Sequence, residues 1–307
     1  MSEKYNIPTA KQLLQTALPQ REWLLYPFIQ QKSACMLYAK RGIGKTYLGL
    51  SIALAVSAGV DLINFSVPKP RNVLYIDGEM AAQDLKTRIT KLANGLNIRS
   101  DKTANLKILS SDLQNEPLPN LATKEGKEDL EKLITDIDLV ILDNLSSLYN
   151  FGKENESESW RPMQDMIIRL KQLGKSILIV DHAGKNGDNR GTSRKQDIMD
   201  SIISLSNPDG YRQADGAFFT ISYKKSRGVY GDELNDITVQ LIEPNSEELI
   251  WVIQEPINKN KKRLEEQELF LKLHSEGKSI REIAKETGTS KTKVGDIIKM
   301  AARLSDN

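Results

Sequence analysis

Ala39-Lys40-Arg41-Gly42-Ile43-Gly44-Lys45-Thr46 is the stretch whose reading decides the fold. An apolar run, Ala34 to Tyr38, leads into it, and an apolar, alanine-rich segment, Tyr47 to Ala58, leads out. The octapeptide therefore lies between an expected strand and an expected helix, the setting of a phosphate-binding loop of pattern G-x-x-x-x-G-K-[ST]. Gly42 and Gly44 permit a tight turn whose backbone N–H groups converge on phosphate oxygens at the positive end of the following helix. Lys45 would then reach the β- and γ-phosphates and Thr46 would hold Mg²⁺ through its hydroxyl, with Arg41, Ile43 and Tyr47 completing the nucleotide-binding run. One position departs from the pattern. Ala39 stands where glycine is usual, and alanine lacks free access to positive φ.

Outward from the loop, the 307-residue chain has room for one large domain and a small satellite. Its N-terminus, Met1 to Lys11, carries no signal-like apolar core, and no run is long enough to span a bilayer, so the expectation is a cytoplasmic protein without membrane contact. A single cysteine, Cys35, in the apolar run before the loop, argues against disulfides, and with only two histidines zinc is not expected. The net charge of +2 is unevenly spread: residues 259 to 307 hold 12 Lys/Arg against 8 Asp/Glu, a net of +4, which leaves −2 for the rest.

From Ser33 onward, strand-length apolar runs alternate with helical segments: Ser33–Tyr38, Asn72–Asp77, Leu106–Ser110, Asp138–Asp143 and Ser176–Asp181. The alternation predicts an α/β fold, a twisted, mostly parallel sheet between helices. Shorter runs, Ser201–Ser206, Gly216–Lys224, Ile237–Ile242 and Leu249–Gln254, predict an antiparallel extension of that sheet. The spacing divides the chain into an N-terminal arm (1–32), an α/β domain that carries the phosphate-binding loop (33–257), a basic linker (258–263) and a C-terminal helical domain (264–307). The arm would pack either on the core or on a neighbouring subunit.

Chemistry is expected at the carboxyl ends of the parallel strands. The second ends Asp77-Gly78-Glu79; a carboxylate there can deprotonate a water beside a γ-phosphate, and Glu79 is equally suited to be the first-turn acid of the next helix. The fourth, Asp138 to Asp143, is an apolar run ending in an acid, so Asp143 can complete a Mg²⁺ shell or cap a helix. His182 follows the fifth and can sense a γ-phosphate or be structural. Lys225 and Arg227, which project the same way on an extended chain, suit an arginine-finger role on an adjoining subunit or, as residues alone favour, a solvated strand edge.

Together these segments resemble the RecA-like ATPases, and more closely the hexameric helicase branch with its plasmid RepA-type and DnaB-type members. They are most similar to small stand-alone bacterial RecA-like ATPases found near mobile elements. Ile76-Asp77-Gly78-Glu79 is similar to the catalytic-glutamate segment, His182 to the sensor histidine, Lys225-Ser226-Arg227 to the trans-acting pair, and Arg190-Gly191-Thr192-Ser193 to the Arg-Gly-Ser-Ser stretch of RepA-type proteins. The resemblance spans residues 20 to 255. It implies a RecA-like P-loop NTPase core, ATP and Mg²⁺ as ligands, a hexamer-type homo-oligomer, and DNA in a channel lined by Lys185 and Arg190. RepA-type proteins carry a finger soon after that stretch, where this chain has Asp197 and Asp200, so a finger must come from Lys225 and Arg227. The missing first glycine bears on turnover more than on nucleotide binding.

In the tail, Leu264 to Ser275 is helical in pattern, Ser279-Ile280-Arg281-Glu282 is a capping box, Gly288 turns the chain and Ser290 caps another helix. This resembles a helix-turn-helix of the resolvase or sigma-factor type, with Ser290, Lys291, Thr292 and Lys293 at the end that meets duplex DNA. A three-helix cap that binds protein would share the pattern. The expected function is a DNA-associated, ATP-hydrolysing helicase or translocase of a plasmid or mobile element; the rival is an ATP-dependent DNA-binding regulator of replication or transcription.

Overall fold

The computed structural model describes residues 5–149, 160–184, 194–254 and 259–305. The chain divides into two compact units, Met1–Gln254 and Glu255–Asn307. The first contains, in order, α1 (Ala10–Gln15), β1 (Trp23–Leu25), β2 (Ile29–Gln30), β3 (Ala34–Ala39), α2 (Lys45–Ala58), β4 (Val73–Asp77) and α3 (Ala82–Gly95). Next come β5 (Leu106–Ser110), α4 (Lys124–Leu133), β6 (Leu139–Asp143), α5 (Leu145–Leu148), α6 (Arg161–Gln172) and β7 (Ser176–His182). It closes with α7 (Arg194–Asp197), β8 (Ser201–Ser206), β9 (Phe218–Ser226), β10 (Ile237–Asn245) and β11 (Glu248–Gln254).

Nine of these strands form one sheet in the order β11-β10-β9-β8-β3-β7-β6-β4-β5. The six from β8 to β5 run parallel, and β9, β10 and β11 add antiparallel to β8. Every residue of β3, β4 and β6 is buried, as a central parallel strand covered on both faces requires. Neighbouring residues serve opposite faces. Leu37, Tyr75, Ile141 and Val180 pack with Leu54 and Leu48 of α2, while Met36, Ile76, Leu142 and Ile179 pack with Met163, Ile167 and Leu170 of α6.

Several boundaries differ from the sequence pattern. β7 continues through His182, because Ala39 and His182 are partners in the β3–β7 ladder. β9 runs two residues beyond Lys224, and its register to β8 shifts where Ile202 meets Lys225 and Ile203 meets Tyr223. The expected N-terminal arm is two different things. Leu24, Leu25, Phe28 and Ile29 of the β1–β2 hairpin belong to the main core, whereas α1 buries no residue and leaves Leu13 and Leu14 exposed.

In the second unit, α8 (Lys259–Ser275), α9 (Ile280–Thr287) and α10 (Lys291–Ser305) enclose a small core of Phe270, Leu273, Ile283, Ala284 and Val294. α8 starts at Lys259, so the run expected as a linker is helical from that residue; Asn258 lies outside the described residues. Ser279 and Glu282 form the expected capping box, and Gly288, in the left-handed region at φ 65°, ends α9.

Candidate nucleotide-binding site

β3 delivers the loop to the centre of the sheet edge. Ala39 is still a strand residue, paired with His182 of β7 and Leu205 of β8, and its backbone φ is not positive. The conformational objection to alanine at this position therefore disappears. Positive φ falls instead on Gly42 (79°) and Gly44 (120°), where glycine is present. At Gly44 space also matters, since a Cβ there would lie 2.8 Å from the Cβ of Ala217.

Gly44 is the N-cap of α2, so the first free N–H groups of that helix open on the loop. A cavity of about 490 Å³ lies above it. The loop contributes Arg41, Gly42, Gly44, Lys45, Thr46 and Tyr47 to its wall; β4, β6 and β7 contribute Glu79, Asp143, Asn144 and His182 from just beyond or at their ends. Ile43 does not line it. That side chain is buried in the core, which leaves only its backbone for nucleotide contact.

Lys45 Nζ donates to the carbonyls of Ala39 (3.0 Å) and Lys40 (2.9 Å). Burial lowers its pKa, and the nearby Asp143 and Asp181 carboxylates oppose that shift. The ammonium is thus held on the loop's own backbone carbonyls, on the wall of the cavity. Asp143, 5 % exposed, accepts the Tyr75 O–H on Oδ2 at 2.5 Å and a hydrogen bond from the Thr46 hydroxyl, yet burial still raises its pKa. A buried carboxylate beside a hydroxyl oxygen fits Mg²⁺, which takes hard oxygen ligands and usually needs only one or two carboxylates in addition to substrate phosphates.

The turn after β4 is built to present Glu79. Asp77 Oδ2 accepts the Met80 N–H at 2.9 Å, and the Gly78 N–H donates to the Asp143 carbonyl at 3.1 Å. A Cβ on Gly78 would fall 2.0 Å from Ser147 Oγ, so only glycine fits. Glu79 itself is exposed on the cavity wall. At the end of β7, His182 Nε2 accepts from Asn144 Nδ2 at 3.4 Å, which places the ring proton on Nδ1, a buried atom without a partner among the described residues. Burial, then Lys45 and Arg41, lower the His182 pKa and keep the ring neutral.

Two cavity residues escaped the sequence reading, Arg88 and Asn144. Arg88 of α3 sits 4.6 Å over the Tyr47 ring. Its signal was helical spacing, three residues after buried Leu85 and four before buried Leu92, an arginine on an otherwise apolar stripe.

Other expected site residues lie elsewhere. Lys225 Nζ donates to the carbonyls of Gln196 (2.6 Å) and Asp197 (3.1 Å), and Arg227 to the Asp197 carbonyl (3.2 Å) and Asp200 Oδ1 (3.4 Å). Both cations are therefore held by α7 and the residues after it, and neither lines the cavity of its own chain. Lys185 and Arg190 lie outside the described residues. In the second unit Ser290 Oγ accepts the Lys293 N–H at 3.3 Å, and Lys291, Thr292 and Lys293 are exposed at the start of α10. Among the described residues, no helix is long and apolar enough to cross a membrane.

The model of the family described as AAA domain (AAA_25) matches residues 3–188, more than half of the chain. The matched segment carries the loop, Glu79, Asp143 and His182, set on a mixed α/β sheet as a P-loop core requires. The chain belongs to this AAA domain family and is a P-loop ATPase, with ATP and Mg²⁺ the ligands such a loop implies.

Proposed function

We infer that this ATPase is an oligomeric, DNA-associated motor of helicase or translocase type, in which nucleotide is bound between subunits. The observation that carries the reading is Glu79: its carboxylate opens on the cavity that also holds Lys45, Thr46 and Asp143. A motor needs hydrolysis as well as binding, and this wall supplies both. Lys45 exchanges its two carbonyls for phosphate oxygens, and the α2 N-terminus adds N–H donors. Mg²⁺, held from Thr46 and Asp143, would neutralise charge developing on the phosphates. Glu79 takes a proton from the water that attacks the γ-phosphorus and the bond to the β-phosphate oxygen breaks, with His182 on the same wall to sense the transferred group. The position of Lys225 and Arg227 outside their own cavity supports their use on a neighbour's nucleotide. Lys185 and Arg190 would meet single-stranded DNA.

A second reading, an ATP-dependent regulator that binds duplex DNA without unwinding, is favoured by the second unit. There Lys291, Thr292 and Lys293 stand exposed at the start of α10, the end from which a recognition helix reads a groove. Hydrolysis measured alone, with single strands and with duplex decides between them. The motor reading expects stimulation by single strands that is lost in Glu79→Gln, with nucleotide still bound. Slow hydrolysis indifferent to DNA, together with duplex binding lost on deletion of residues 259–307, would replace the motor with the regulator.

A further inference from the structure

Tyr75 is fully buried near the middle of β4, on the face that packs against α2. The neighbouring strand residues on that face are aliphatic, Ile141 on β6 and Val180 on β7. A phenol in such a place costs free energy unless its hydroxyl is bonded, and phenylalanine would fill the same volume without that cost. Its O–H makes a single described bond, 2.5 Å long, to Oδ2 of Asp143.

Asp143 bonds both Tyr75 and Thr46. One oxygen taken by a rigid, fully buried donor fixes the carboxylate's rotation about its last bond. Its remaining acceptor capacity serves Thr46 and the cavity. Groups that bond a metal-supporting carboxylate from behind set its orientation, and losing one typically weakens metal affinity.

We propose that Tyr75 is a positioning residue for the divalent cation: its O–H, donated at 2.5 Å to Oδ2, holds Asp143 in the one orientation that serves Mg²⁺ beside Thr46. This rests on the reading of Asp143 as the Mg²⁺-supporting acid. Tyr75 takes no part in the chemistry and does not touch the nucleotide.

The test uses the full chain and a fluorescent ATP analogue, with affinity measured in EDTA and in excess Mg²⁺; the ratio is the Mg²⁺ enhancement. In Tyr75→Phe the EDTA affinity is expected to match wild type, while the enhancement falls ~10-fold or more. Asp143→Asn is expected to abolish the enhancement, and the double variant to lose nothing further, because both changes act through one carboxylate. 3-Fluorotyrosine encoded at position 75 keeps the shape and the donor, and is expected to keep the enhancement that phenylalanine loses. Full enhancement in Tyr75→Phe alongside its loss in Asp143→Asn would overturn the role of Tyr75 alone. Loss in both position-75 variants would assign Tyr75 to packing. If Asp143→Asn keeps the enhancement, the metal reading of Asp143 fails and the proposal falls with it.

Discussion

Burial pushes the Asp77 carboxyl up to about 6; the Met80 and Glu79 N–H groups pull against that, and Asp143 adds to it. The folded value lies above the ordinary 3.8, so the folded chain binds this proton more tightly than the unfolded chain. The stabilisation is therefore complete at a pH below 3.8 and is lost as pH rises through about 6. Asp77→Asn keeps an oxygen for the Met80 N–H and removes the buried charge. In nucleotide-free protein it is expected to raise the melting temperature near neutral pH, the gain shrinking toward about pH 4. A gain independent of pH would show that charge is not its source. At this scale much of the site was legible: Lys45, Thr46, Glu79, Asp143 and His182 all reach one cavity. What spacing could not supply was the contact across strands. Tyr75 reads as one more apolar strand residue until β4 and β6 pair, because the side chain it serves lies 68 residues away.

Helix ends and strand ends obey different kinds of information. The capping box of α9 is complete within four residues, so Ser279 and Glu282 announce it in any context. Ser279→Ala removes the side-chain acceptor of the Glu282 N–H and is expected to cost about 1 kcal/mol of the second unit's stability. Faster hydrogen exchange confined to the first turn of α9 would register it; unchanged exchange there would mean that the box contributes nothing. The strands of the parallel core were equally plain, because residues buried on both faces leave long apolar runs. The arm was not. Short β1 and β2 owe their burial to Leu24, Leu25, Phe28 and Ile29 meeting the main core, while the neighbouring helical pattern at Ala10 to Ala17 yields α1 with no core to meet. Amphipathic spacing states what an element could bury and leaves open whether a surface is there to receive it.

At the scale of the molecule, the family match and the physical unit have different lengths. The match ends at residue 188, but β8 lies beside β3, and the unit continues to Gln254. A chain cut after residue 188 leaves one edge of the loop-bearing strand unpaired, together with apolar surface that Ile203, Phe219 and Val239 would cover. Residues 1–188 are expected to aggregate on purification, whereas residues 1–254 should stay in solution and bind ATP; a soluble, ATP-binding 1–188 fragment would contradict this. Strand order was the least legible feature of all, since which strand fills the second edge of β3 depends on a contact between residues 35–39 and 201–205.

On the ribosome the chain emerges in the order β3, β7, β8, with β3 destined to lie between the other two. The nascent protein can therefore assemble Lys45, Glu79, Asp143 and His182 while the far side of β3 is still bare, and it must wait for residues 201–206 to close it. Synthesis thus has a vulnerable interval of at least the 19 residues from Ala183 to Ser201, about 1–4 s at ordinary elongation rates. Nascent chains stalled within it should recruit holdase chaperones, and those stalled well past Gln254 should release them.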